Sequence, residues 1–435
     1  MGLAVIAMGA ALVLLPPVDG VPLFGYAAIA CLLVGTILVM PGIARVVLAS
    51  LRAPANAPQS LAIAQLKSSP GQASASLASI VASVSLMVSM AVMVTSFRQS
   101  LDQWLGNVLP AALYARVPAA DAALTHDDQM RIAALDGVQR VEFAREDHLL
   151  LDASRPRVVL LARALEESEA GARLPLVEGP LVRPPDAPPA AWVNEAMVDL
   201  YGFTPGTTVT LPIAGRAERF FVAGVWRDYG RPQGAIQIDR DRYVAFTGDR
   251  TATTAALWLT DERRLAPVRE ALRNAIPGGD RLEVSTPGEI RNLSLAAFDR
   301  TFAVTYALEL AGVAIGLVGL SSAFGALVLA RRREFGVLRH LGMTKRQIGA
   351  MLATEGLVTS ALGVAAGVAL GLVVSLVLIY VVNRQSFHWG MSLTVPVIEL
   401  AAFALLVIGL ATLTAVASGR QAMADDVVRA VKEDW

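Results

Sequence analysis

Cysteine is nearly absent. Cys31, inside an apolar run, is the only one in 435 residues, so no disulfide within the chain, thiolate zinc cluster or redox pair can be built from it. Histidine is scarce as well: His126, His148, His340 and His388 are scattered, and neither a His-Glu-x-x-His helix nor a Gly-x-Ser-x-Gly elbow occurs. Metal hydrolysis and serine acyl transfer therefore lack their usual constellations. There is no Gly-x-x-x-x-Gly-Lys-[Ser/Thr] loop to cradle phosphates, so the chain is not itself a P-loop ATPase. Net charge is missing too. The 37 Lys and Arg offset 37 Asp and Glu, with no basic block outside one loop, which argues against nucleic acid as a partner. The first apolar run has neither a basic leader nor a cleavage pattern, and no lipidation motif is evident.

What is abundant is apolar surface. With 54% hydrophobic and 17% charged residues and a mean hydropathy of +0.53, the composition is that of a membrane protein. The expected fold is an α-helical polytopic membrane protein with about six transmembrane helices and one inserted α+β extracytoplasmic domain. Residues 1–50 are expected to hold two N-terminal spans, although Gly2 to Leu15 is short for the ~20 residues that cross a bilayer. Residues 51–72 read as a cytoplasmic elbow, broken by Pro54 and Pro58 and carrying Arg52 and Lys67 without an acid. Residues 73–97 form a serine-rich span, with Ser76, Ser79 and Ser83 at helical spacing.

The polar stretch 98–300 is long enough for its own core, and alternating strand and helix patterns run through it. Leu113 to Val117, Arg157 to Leu161, Phe220 to Trp226 and Ala255 to Leu259 read as strands, with stalk helices at both ends of the domain. Residues 301–330 are a further span, 331–347 a cytoplasmic coupling segment, 348–418 two more spans and 419–435 a cytoplasmic tail. Asn383 to Leu393 reads as a short outer turn. Gly363, Gly367 and Gly371 form a ladder suited to close helix crossing, and Gly312 and Gly316 a second; the pattern fits packing or dimerisation equally. Glu309, Glu355 and Glu399 are the acids in or near spans, each close to a boundary where water or a partner can reach it.

Between the spans, Arg331 to Leu341 predicts a short amphipathic helix with Phe335 and Leu338 on one face and Arg332, Arg333 and Arg339 on the other. Gly342 stops it, and Thr344-Lys-Arg-Gln347 is a capping box that starts the next helix. The run Arg-x-Glu-Phe-Gly-Val-Leu-Arg, then Leu-Gly-Met-Thr and Gln-Ile, resembles the coupling segment of the FtsX-like (MacB/LolC/LolE-type) ABC permeases. The order of elements resembles that family from about Gln72 to the C-terminus, as its C-terminal repeat preceded by two extra spans.

The resemblance implies that Arg333, Glu334, Phe335, Gly336, Leu338, Arg339, Gly342, Thr344, Lys345 and Glu355 couple the chain to a separate ABC ATPase subunit. Phe335 and Leu338 would anchor that interface. ATP and its hydrolysis would then belong to the partner, with no cofactor or catalytic residue on this chain. Membrane lipid and a second permease copy or homologous half are the other implied partners.

The basic residues Arg331, Arg332, Arg333, Arg339, Lys345 and Arg346 place that loop in the cytoplasm, hence both termini inside and the 98–300 domain outside a bacterial plasma membrane. The resemblance implies a mechanical role: transmitting ATP-driven motion to the outer domain to export or extract a lipid-linked or hydrophobic cargo. A non-transporting adaptor that activates an envelope enzyme is the alternative, and an ion-coupled carrier a third.

Overall fold

A computed structural model describes residues 1–52, 56–68, 70–118 and 123–424. Helices α1 (Gly2–Leu12), α2 (Leu23–Ser50), α3 (Ala57–Ser68) and α4 (Pro70–Val108) come first. The middle of the chain alternates β1 (Leu113–Arg116), α5 (His126–Ala133), β2 (Val138–Leu149), β3 (Val158–Arg163), α6 (Ala170–Arg173), β4 (Leu176–Glu178) and β5 (Ala190–Asn194). It continues with α7 (Glu195–Tyr201), β6 (Thr208–Ile213), β7 (Arg216–Trp226), β8 (Ala235–Asp239), α8 (Arg240–Thr247), β9 (Thr254–Leu259), α9 (Leu265–Ala275) and β10 (Glu283–Ser285). Then follow α10 (Pro287–Ala330), α11 (Arg332–His340) and α12 (Lys345–Val377), which runs on through a π-turn at Leu378–Val382 into α13 (Asn383–Phe387), and finally α14 (Val397–Ala424).

These elements form two units, Met1–Ser96 with Thr301–Gln385 and Ser392–Trp435, and Phe97–Arg300 with Ser386–Met391. In the helical unit, Leu23–Ser50, Leu77–Val108, Lys345–Phe387 and Val397–Arg420 are long and apolar enough to cross a membrane, whereas Gly2–Leu12 is shorter. Four such helices among the described residues stand against the six expected. The expected span 301–330 lies inside the 44-residue α10, several of whose side chains, including Glu309, fall outside the described residues. So do the side chains of Ser76 and Arg332, Pro54 in the elbow and the tail beyond residue 424.

Helix α12 is the hub of this unit. Leu32 and Met40 of α2, Leu66 of α3 and Leu77 and Val81 of α4 form one core with Leu370, Val374 and Val377 of α12. The glycine ladder explains how α4 comes so near. A Cβ on Gly363, Gly367 or Gly371 would lie 2.9, 2.7 and 2.6 Å from Ile80, Val84 and Val88, closer than non-bonded carbons approach. Bare backbone is what lets the two helices touch, so this ladder serves packing within the chain. Gly316 does the same against Ser83, while Gly312 faces open space.

The second unit is built on one mixed sheet of order β10-β1-β9-β2-β3-β8-β5-β7-β4, with β6 hairpinned onto β7. Only the β3–β8 and β5–β7 pairs are parallel. One face carries two cores. Leu113, Ala255 and Leu257 pack under α5 and α9 through Ile132, Val268 and Leu272; Val158, Leu160, Val193, Ile236 and Phe220 pack with Met197 of α7 and Tyr243 of α8. On the reverse face, Val159, Trp192, Phe221 and Trp226 are covered by Leu165, Ala170 and Leu174.

Residues 383–393 are not a simple outer turn. The helix continues to Phe387 and ends at His388, whose φ of +59° leaves the helical region. Ser386–Met391 is part of the sheet unit. Trp389 packs against Phe97 and Tyr229 with ring centroids 4.8 and 4.7 Å away. The Gly390 carbonyl accepts from Tyr229 Oη at 3.0 Å, and the Gly390 N–H donates to the buried Glu195 carboxylate, which Arg227 also grips through two nitrogens.

A capped helical corner as the candidate coupling site

Helix α11 ends as its sequence dictates. Gly342 takes φ +96°, a conformation that costs a residue with a Cβ, and its N–H donates to the Arg339 carbonyl at 3.0 Å. The Met343 N–H reaches the Leu338 carbonyl, also at 3.0 Å. Together these are a Schellman stop, completed by apolar contact between Leu338 and Met343 in one cluster. One residue later Thr344 caps α12. Its Oγ1 accepts from the Gln347 N–H at 3.3 Å and Gln347 Oε1 accepts from the Thr344 N–H at 2.8 Å. Met343 before the cap and Ile348 inside the helix share the same cluster, which fixes the entry angle as a hydrophobic staple does.

The corner sits on a seat drawn from several helices. Phe335 is buried together with Ala62 of α3, Val328 of α10, and Ile348, Met351 and Leu352 of α12, with Leu338 half-buried beside it. This corrects the expected docking face. Phe335 and Leu338 are spent on the chain's own core, because the elbow helix α3 and the ends of α10 and α12 surround that side of α11. The apolar residues left exposed are Val337 and Leu341, at 59% and 77%. They stand one helical turn apart, on the surface with Arg333, Glu334, Arg339, His340 and Lys345. Gly342 and Thr344 are exposed and Gly336 is buried.

Of the two expectations for Glu355, water or a partner, the structure shows the partner: Glu355 is 3% exposed and accepts from Arg331 Nη1 at 2.9 Å. Arg331 Nε donates to Glu334 Oε2 at 2.9 Å, and its guanidinium lies 5.5 Å from the Phe335 ring. Arg331, the residue before the first turn of α11, is thus tied to the helix it precedes and to the third turn of α12. Sequence reasoning counted Arg331 only as a topogenic charge. The signal that could have singled it out was Glu355, an acid inside an apolar helix that needs a cation. Among the described residues no group of His, Cys, Asp and Glu could hold a metal ion.

Residues 308–427 match the family model described as FtsX-like permease C-terminal. An uncharacterized ABC transporter permease protein of Mycobacterium tuberculosis, Rv0987, is 28% identical over 330 residues, which cover 74% of this chain and 38% of that protein. The chain therefore spans well under half the length of that curated relative. Among solved structures, the extracellular domain of the noncanonic ABC-type transporter YknZ from Gram-positive bacteria aligns at 14% identity and TM-score 0.28, covering 38% of this chain and 92% of that one. The periplasmic region of MacB from Actinobacillus actinomycetemcomitans aligns at 12% identity and TM-score 0.31, covering 43% and 94%. The matched C-terminal region contains the corner, its Arg331–Glu355 pair and the helices on either side, and over that region the chain is similar to the FtsX-like permeases.

Proposed function

We propose that this chain is the membrane subunit of an ABC transporter, in which a separate ATPase subunit hydrolyses ATP and pushes on α11. The sheet unit would then be the extracytoplasmic end of the machine, acting on a lipid-linked or hydrophobic cargo. The observation that carries the reading is the corner. A short helix stopped by a Schellman turn, pinned at its start by a buried ion pair and seated on three other helices can transmit a push, whereas a loop that merely sets topology needs only its charges.

The surface offered to the ATPase is the one left exposed. Val337 and Leu341 supply two apolar anchors with charged residues around them, and a few buried anchors usually dominate an interface. Replacing both with serine leaves the seat and the caps intact. The expected result is normal membrane insertion together with loss of co-purification of the ATPase subunit. Wild-type co-purification and coupled ATP hydrolysis in that double variant would overturn this docking surface. Cargo release from membranes is the expected output. Activation of an envelope hydrolase by the sheet unit with no cargo movement would replace transport with the adaptor reading.

A further inference from the structure

Strands β1, β9 and β2 pack under α5 and α9 on one face, and along β2 the sole buried residue is Leu149, although both edges of that strand are paired. Register places two adjacent rows of half-buried and exposed side chains on the opposite face. One runs Tyr114, Ala256, Glu142; the other runs Arg116, Thr254, Ala144, Arg163. Ala256 and Ala144 put small side chains in the middle of the rows, with Tyr114 and Arg163 as longer side chains on either side of them.

The acids around these rows are already committed. Glu142 accepts from both Arg140 and Arg173. Arg231 spans Glu146 at 3.4 Å and the buried Asp228 at 3.1 Å. Asp239, across the parallel pair from Arg163, is used as the cap of α8, accepting from the Asp241 and Arg242 N–H groups at 3.0 and 3.3 Å. Arg163 has no acceptor at hydrogen-bond or ion-pair distance among the described residues, and the neighbours that act on its charge are Arg173, Arg231 and Tyr114. Burial, and then the like charge of Arg173, hold its pKa below the ordinary arginine value. Tyr114 Oη accepts the Ala111 N–H at 2.9 Å, which leaves its own O–H free to donate.

We propose that this face is an oxyanion site, in which the Arg163 guanidinium and the Tyr114 hydroxyl hold a phosphate group over Ala144 and Ala256. A guanidinium presents a planar fork of donors that suits phosphate oxygens, and a bound anion relieves the repulsion from Arg173 and Arg231. The site is independent of α11 and of the ATPase.

Calorimetric titration of the full chain in nanodiscs with inorganic phosphate at low salt tests it, since screening weakens such contacts. Saturable binding is expected, weakened roughly ten-fold or more in Arg163→Gln and less in Tyr114→Phe, because a charged donor outweighs a neutral one. Circular dichroism and size exclusion confirm that each variant is folded, and Arg163→Lys should recover part of the affinity. A parallel titration with glycerol 3-phosphate separates the sources. Tighter binding than inorganic phosphate would assign the site to a lipid headgroup, and weaker binding to a free anion. Absence of saturable binding by the wild type, or equal affinity in folded Arg163→Gln and Tyr114→Phe, would overturn the proposal.

Discussion

At the scale of single residues, Arg331 and Glu355 decide whether the corner is held. Both are buried, and their 2.9 Å contact joins the start of α11 to α12. Removing one partner strands the other charge, a change that costs about 3–5 kcal/mol in a buried pair. Arg331→Met should therefore lower the thermal stability of the purified chain markedly. The double change Arg331→Met with Glu355→Leu should recover most of it, because two apolar side chains of similar size replace an ion pair at little cost. If the pair also positions α11, the double variant will be stable and yet deficient in ATP-coupled activity. Full activity in it would reduce the pair to a structural contact.

At the scale of elements, the corner between α11 and α12 is the joint that carries the proposed function. The angle between α11 and α12 depends on one residue with positive φ and on one cap. Gly342→Val should strain the turn by more than ~1 kcal/mol, because a β-branched residue is an outlier there. Thr344→Ala should lose about 1 kcal/mol of capping. Neither change removes a charge, so insertion measured by protease protection should stay normal while ATP-dependent function falls, more in Gly342→Val. Wild-type function in that variant would return the loop to a purely topological role. Ser386–Met391 belongs with the sheet unit, where Trp389 packs on Tyr229 and Gly390 is held by Glu195 and Arg227.

At the scale of the whole molecule, the distribution of Lys and Arg predicts the loop at 331–347 on the cytoplasmic side and the sheet unit across the membrane from it. Cysteines introduced as Ser168→Cys and Arg346→Cys, each in a Cys31→Ser background, report this directly. Both positions are exposed and neither is a cap. An impermeant maleimide added to intact cells should label Ser168→Cys alone. Labelling of both positions under those conditions would refute the topology.

The sequence alone determined whatever depends on near neighbours. A glycine that stops a helix and a Thr-x-x-Gln box that starts the next act over three or four residues, so the corner at Gly342 and Thr344 was legible without coordinates. Apolar runs likewise announced membrane helices, since a run of that length and composition has few other uses. Only the tertiary structure decided which face of α11 is free. An amphipathic helix shows that one side is apolar, and whether that side is buried by its own chain or by a partner depends on α3, α10 and α12, whose packing no local pattern encodes. The same holds for the glycine ladder, which fits packing or dimerisation until α4 is seen against it. It holds again for Arg331 and Glu355, 24 residues apart, and for Glu195 and Gly390, 195 apart, because a pairing across such separations is set by the fold and leaves no periodic trace.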